Sequence, residues 1–218
     1  MAAADGIEHI VATPHANDRY SYDRERLSKS LDHLRELCGD TLKFSLGCDF
    51  HLSYENLQQA LVDPHRYTIG DTQYLLVELS NFSIPAHISD CFTQLGSKRI
   101  TPVITHPERN PILQQSLQTV LQWVEQGCVV QVTASALTGA WGNHVRHAAE
   151  WLLKRNAVHV LATDAHGVKN RVPVLSAGRE AAARLCGTEV ARALVDDNPR
   201  AIIEGKPLPY SPDPITKE

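Results

Sequence analysis

Six residues of this chain could bind divalent metals and stand where apolar runs end: His15, Asp49, Glu78, His106, Asp164 and His166. Three imidazoles and three carboxylates make a mixed nitrogen and oxygen donor set. Such a set suits manganese, iron or zinc rather than calcium or magnesium alone. A carboxylate can bridge two ions, so six donors can serve more than one metal. Taken singly, each reads equally well as a hydrogen-bonded polar residue at a strand end. Together they point to a metal site, because buried carboxylates are costly without a compensating cation. Arg109 follows His106, and Arg171 follows Asp164 and His166. Each arginine reads either as a salt bridge to the site's own carboxylates or as a fork gripping phosphate oxygens beside the metals. Metals with guanidinium forks suggest phosphoester hydrolysis by a cation-activated water, with no protein nucleophile.

These residues need strands to deliver them. The stretch 158–171, VHVLATDAHGVKNR, opens on a short apolar, β-branched run and stops at once in Asp164 and His166. That composition suits a strand buried on both faces of a parallel sheet. The pattern repeats. Strands are expected over 8–13 before Pro14-His15, 42–47 before Cys48 to His51, 73–78 ending in Glu78, and 101–105 before His106 to Asn110. A further run, CVVQVT at 128–133, offers no strong ligand.

Helices are expected between these runs. Ser21 or Asp23 caps one whose Leu27, Leu31, Leu34 and Leu37 form a stripe closed by Gly39. A short helix is expected over 54–61 and another over 85–95. Asn110 caps and Pro111 starts the next, with Leu113, Leu117, Leu121 and Val124 inward and Gly127 ending it. Glu108 is read as helping that cap. Later helices are expected over 142–155 and 173–185, with two short ones over 188–195 and 199–204. Six short strands alternating with helices predict an α/β fold with parallel strands and its chemistry at their carboxyl ends. The first strand begins so early that it lacks an N-terminal neighbour.

The 218 residues carry 43% apolar and 21% charged side chains and a formal charge of −4. One domain is expected, with no basic field for nucleic acid or anionic membranes. No apolar run approaches a membrane span of roughly 20 residues, and no signal peptide is read. The five cysteines are odd in number and scattered without a C-x-x-C, which predicts reduced thiols and a cytoplasmic location. Cys186 and Arg192 match C-x5-R, a spacing attributed to chance because Glu189 would sit inside the anion cradle. Of the remaining histidines, His51 is intermediate, and His9, His33, His65, His87, His144, His147 and His159 are read as surface or helix filler.

The motifs VATPHA, LGCDFH, LLVEL, VITHPERN and ATDAHGVKNR, with the later NPRAIIEG, resemble the polymerase-and-histidinol-phosphatase (PHP) superfamily. Within it they are similar to the bacterial capsular-polysaccharide tyrosine phosphatase branch. The resemblance implies a distorted (β/α)7, TIM-like barrel over residues 1–205 with a Pro-rich tail at 206–218. It implies up to three divalent ions, often manganese, held by His15, Asp49, Glu78, His106, Asp164 and His166, with Arg109 and Arg171 binding the phosphate. Its implied partner is an autophosphorylating tyrosine kinase of exopolysaccharide export. Asp49 stands where the family more often has Glu. Family members also open with a strand bearing His-x-His, absent here, so a barrel without its first strand and with fewer metals is expected. A start codon placed too late is the preferred explanation. Two other functions stay open: a phosphoesterase for a small substrate such as histidinol phosphate, and a non-catalytic phosphopeptide binder.

Overall fold

The computed structural model describes residues 1–216. In chain order its elements are β1 (His9–Ala12), β2 (His15–Ala16), α1 (Arg24–Cys38), β3 (Lys43–Leu46), β4 (Asp49–His51) and α2 (Tyr54–Val62). There follow β5 (Tyr74–Glu78), α3 (Ile88–Ser97), β6 (Thr101–Thr105), α4 (Gln118–Glu125), β7 (Val129–Thr133), α5 (Ala134–Leu137) and α6 (Asn143–Lys154). The chain then forms β8 (Val160–Ala162), α7 (Ser176–Cys186), α8 (Thr188–Arg192) and α9 (Asn198–Ile203). Every pairing between these strands is parallel: β2-β4-β5-β6-β7-β8 form one sheet and β1-β3 a short second one.

The strands expected over 8–13 and 42–47 form as β1 and β3, and each is followed by a second short strand, β2 and β4, that was not expected. Pro14 has no N–H to give, so β1 stops before it and β2 restarts at His15. The partner breaks in step at Gly47, where an added Cβ would lie 3.0 Å from the Ile69 side chain. Pairing survives the break, because Gly47 donates to Ala12 and Asp49 donates to Pro14. The restart matters functionally, since it carries His15 and Asp49 onto neighbouring strands in register.

Alternation divides the main sheet into two faces. Phe50, Leu75, Val77, Ile104, Val130, Val132 and Leu161 pack outward in a large core with the helices. Tyr74, Val103, Val129 and Val160 pack inward in a smaller core with Ile69 and Ile202. Counting by twos along the inward face reaches Glu78, Thr105 and Thr133 at the carboxyl ends of β5, β6 and β7, and Asp49 at the start of β4 lies on the same face. Burial on both faces explains why these strands read as unbroken apolar runs.

The helices correct several expectations. Asp23 caps α1, accepting from the Arg26 N–H, and Gly39 closes it. Only Leu31 of the expected stripe is buried in α1; Leu34 and Leu37 are 44% and 69% exposed. The helix expected from Pro111 is instead a 3-10 turn, Leu113–Gln115, followed by α4. Asn110 does cap that turn, accepting from the Ile112 and Leu113 N–H groups. His159 is 1% exposed in the core rather than surface filler, and its Nδ1 accepts from the Val130 N–H.

The α7 N-terminus has no cap of its own. Asp5 supplies it from 170 residues away, accepting from the Leu175 and Ser176 N–H groups and the Ser176 hydroxyl. The five cysteines are free. The tail segment 206–216 has no helix or strand but lies against the body, Ile215 donating to Arg155 and Tyr210 to Asn198. Residues 217 and 218 of the expected tail lie outside the described residues. Among those described, no helix is long and apolar enough to cross a membrane.

Candidate metal centre

The inward face delivers four of the six sequence-predicted donors to one place. His15 comes from β2, Asp49 from β4, Glu78 from the end of β5, and His106 from the residue after β6. One ligand atom each of His15, Asp49 and Glu78 lies within 4.8 Å of the others. The His15 Nδ1 is 3.3 Å from Asp49 Oδ2 and 3.5 Å from Glu78 Oε2. His106 Nε2 completes the group, 3.9 Å from Asp49 Oδ2 and 3.8 Å from Glu78 Oε1. The Thr105 hydroxyl lies 3.4 Å from Asp49 Oδ1, on its other oxygen.

The electrostatics are those of a closely packed charge cluster. Burial by itself would raise the Glu78 pKa, but His15, His51 and His106 around it hold the carboxyl well below the usual carboxylate range. The Glu78 carboxylate in turn raises His15 and His51. The His15 Nδ1 is buried and makes a well-aligned hydrogen bond with neither carboxylate. An orphaned, buried imidazole nitrogen between two carboxyl groups fits a cation between them. A divalent ion therefore suits the residues present.

Asp164 and His166 form a second group beside the first. The Asp164 Oδ2 accepts from both Arg109 Nη1 and Arg171 Nη2. Of the two readings open for the arginines, the salt bridge to a site carboxylate is the one seen. His166 Nδ1 is 3.7 Å from Asp164 Oδ1, and its ring centroid is 6.3 Å from that of His15, which joins the two groups. Five non-glycine residues among those described have positive φ, and three of them are His106, Asp164 and Arg171. Such backbone costs free energy and tends to collect at functional sites.

Two participants escaped the sequence reading or were misread by it, and a third, His51, was left intermediate. His51 ends β4 with its Nδ1 3.8 Å from Glu78 Oε2, so it belongs to the cluster. Its signal was present as the alternate residue after Asp49, on the same strand face. Trp141 lies under both guanidinium groups, its ring centroid 4.4 Å from the Arg109 guanidinium carbon and 5.4 Å from that of Arg171. It lies in the turn between α5 and α6, far from any motif; only its placement between Gly139 and Gly142 marked it.

Glu108 is the one that was misread, and it does not serve the following helix. It is fully buried, and its Oε1 accepts from the Thr133 N–H at the end of β7. Its Oε2, the Thr133 hydroxyl and Gln131 Nε2 are all buried without partners. Burial pushes the Glu108 carboxyl up, toward the neutral acid. It pins the 3-10 turn Pro107–Arg109, and with it His106 and Arg109, to the neighbouring strand.

The family model for capsular polysaccharide synthesis, CpsB/CapC, matches residues 1–204. The tyrosine-protein phosphatase YwqE of Bacillus subtilis strain 168 is 30% identical over 78% of this chain and 68% of its own length. The tyrosine-protein phosphatase CpsB of Streptococcus pneumoniae is 27% identical over 91% of this chain and 85% of its own. Crystallographic work on those two proteins describes them as unique metal-dependent tyrosine phosphatases. A structure from it matches 100% of this chain and 88% of that one, with a TM-score of 0.92 at 26% identity.

Proposed function

This chain belongs to the CpsB/CapC family of capsular polysaccharide synthesis, and on that premise we propose that it is a metal-dependent tyrosine-protein phosphatase. The observation that carries the proposal is the convergence of His15, Asp49 and Glu78 within 4.8 Å, with His106 against both carboxylates. These four would hold the first divalent ion, and Asp164 with His166 would serve a neighbouring one. Manganese is the preferred metal, with iron or zinc compatible with the same donors. When bound, the metal supplies Lewis-acid polarisation of the phosphoryl group and a water acidic enough to attack at neutral pH.

The chain's own residues do the rest. Thr105 orients the Asp49 carboxylate from behind. Arg109 and Arg171 turn from Asp164 to the phosphate, where bidentate forks match its oxygens and offset its charge. The backbone at His106, Asp164 and Arg171 is set in its strained form before substrate arrives, so little reorganisation is left for the reaction. The fold is read as a PHP-type (β/α)7 barrel whose remaining position lies between the sheet edges β8 and β2, with residues 1–205 as the phosphatase domain. The substrate is a phosphotyrosine protein, the autophosphorylating kinase of polysaccharide export. Five free cysteines agree with a reducing cytoplasm.

Phosphate release from a phosphotyrosine peptide and from histidinol phosphate, each with manganese and with a chelator, tests the proposal. Metal-dependent release with preference for the peptide is expected. Preference for histidinol phosphate would replace the substrate. Peptide binding without turnover would replace the activity.

A further inference from the structure

We infer that Trp141 is a positioning residue that holds Arg109 and Arg171 for phosphate, an inference that rests on the phosphatase reading of the site. Both guanidinium groups contact a single oxygen of Asp164, and both also lie over the face of one indole, at 4.4 Å and 5.4 Å. The two contacts differ in what they consume. The carboxylate occupies N–H groups at the edge of each guanidinium, the same edge that a phosphate must use. The indole ring beneath each guanidinium carbon offers no acceptor oxygen there, so it does not compete for those N–H groups as a carboxylate does. An arginine tethered by Asp164 alone would lose its anchor whenever it turned to a phosphate, or whenever Asp164 turned to a metal. The stack persists through both changes.

The indole is itself fixed. Its Nε1 donates to the Ser135 hydroxyl at 2.9 Å, from the short helix α5 that continues directly from β7. The turn carrying it is closed by Gly139 and Gly142, both at positive φ, with Ala140 donating to the Ser135 carbonyl. Position 141 is thus referenced to the sheet rather than left on a free loop. One aromatic ring shared by two arginines also keeps them together when the Asp164 oxygen they share is given up.

The test is calorimetric titration of the manganese-loaded protein with inorganic phosphate, and of the stripped protein with manganese. Trp141→Leu removes the π face and keeps apolar bulk; Trp141→Phe keeps a face. Phosphate affinity is expected to fall about tenfold in Trp141→Leu and about threefold in Trp141→Phe, with manganese affinity within about twofold of wild type in both. Should Trp141→Leu not fold, Ser135→Ala loosens the indole and is expected to weaken phosphate about threefold at unchanged manganese affinity. Phosphate affinity unchanged in these variants overturns the inference and leaves the phosphatase reading standing. Phosphate and manganese affinities falling together also overturn it, since that is general damage. A wild-type protein that binds manganese but no phosphate removes the phosphatase reading and this inference with it.

Discussion

At the scale of single residues, the site is a balance of buried charges that a cation would complete. Glu78 faces three imidazoles, and its removal takes away the carboxylate that His15, His51 and His106 surround. Glu78→Ala is therefore expected to weaken manganese binding at least a hundredfold, measured by calorimetry, because ligand losses of this kind are not made good by water. Glu108 acts one step back. Glu108→Gln keeps an acceptor for the Thr133 N–H, whereas Glu108→Ala leaves that buried donor unpaired and opens a cavity. The alanine variant is expected to be about 2 kcal/mol less stable than the glutamine one by denaturant titration. The convergence of His15, Asp49, Glu78 and His106 was legible because these candidate ligands stand at or just beyond the ends of apolar runs on neighbouring strands. Trp141 and the role of Glu108 were not. Their partners lie on other elements, and no local pattern encodes contact between the β6 end and the β7 end or between a turn and two distant arginines.

At the scale of elements, most strands and helices were legible from period and caps, and the misreadings share one cause. The strand ends at Pro14 and Gly47 were read, but the short continuations β2 and β4 beyond them were not, and the segment after Pro111 has leucines at helical spacing but folds first as a 3-10 turn. Pairing and packing with neighbouring elements overrode local pattern in each case. Two devices tie elements together across the chain. Gly178 of α7 lies so close to α5 that an added Cβ would meet the Ala134 Cβ at 2.6 Å and its carbonyl oxygen at 2.7 Å. Helix propensity alone would make Gly178→Ala stabilising by up to about 1 kcal/mol. Overpacking against backbone outweighs that, and the variant is expected to be about 1–3 kcal/mol less stable by thermal or chemical unfolding. Asp5, holding three donors at the start of α7, is the opposite kind of tie. Asp5→Ala should cost about 1 kcal/mol, with amide exchange quickening first around Leu175 and Ser176.

At the scale of the whole molecule, six parallel strands turn one end of the sheet toward the site and leave the other end to structure. His159 belongs to that structural part. Burial lowers its pKa to about 4, below its ordinary value near 6.5, so the unfolded chain takes up the proton first. Its contribution to stability is complete above pH 6.5 and falls as the pH drops toward 4. Between pH 7 and 5 the loss should reach about 2 kcal/mol, or roughly 4–8 °C in midpoint, and should be missing in His159→Gln. The parallel α/β class was legible from the alternation of strands and helices. A salt bridge from each arginine to a site carboxylate was one of two readings open, but that both would meet on one oxygen of Asp164 was not legible, since it depends on how β6 and β8 stand around the rim.

The most direct test of the account is the rate of phosphotyrosine-peptide hydrolysis by chelator-stripped protein across a manganese titration, for wild type beside Glu78→Ala. The strand-end cluster predicts no hydrolysis without metal, recovery as manganese is added, and little or no recovery in the variant. Hydrolysis that survives the chelator, or equal recovery in both proteins, would contradict it.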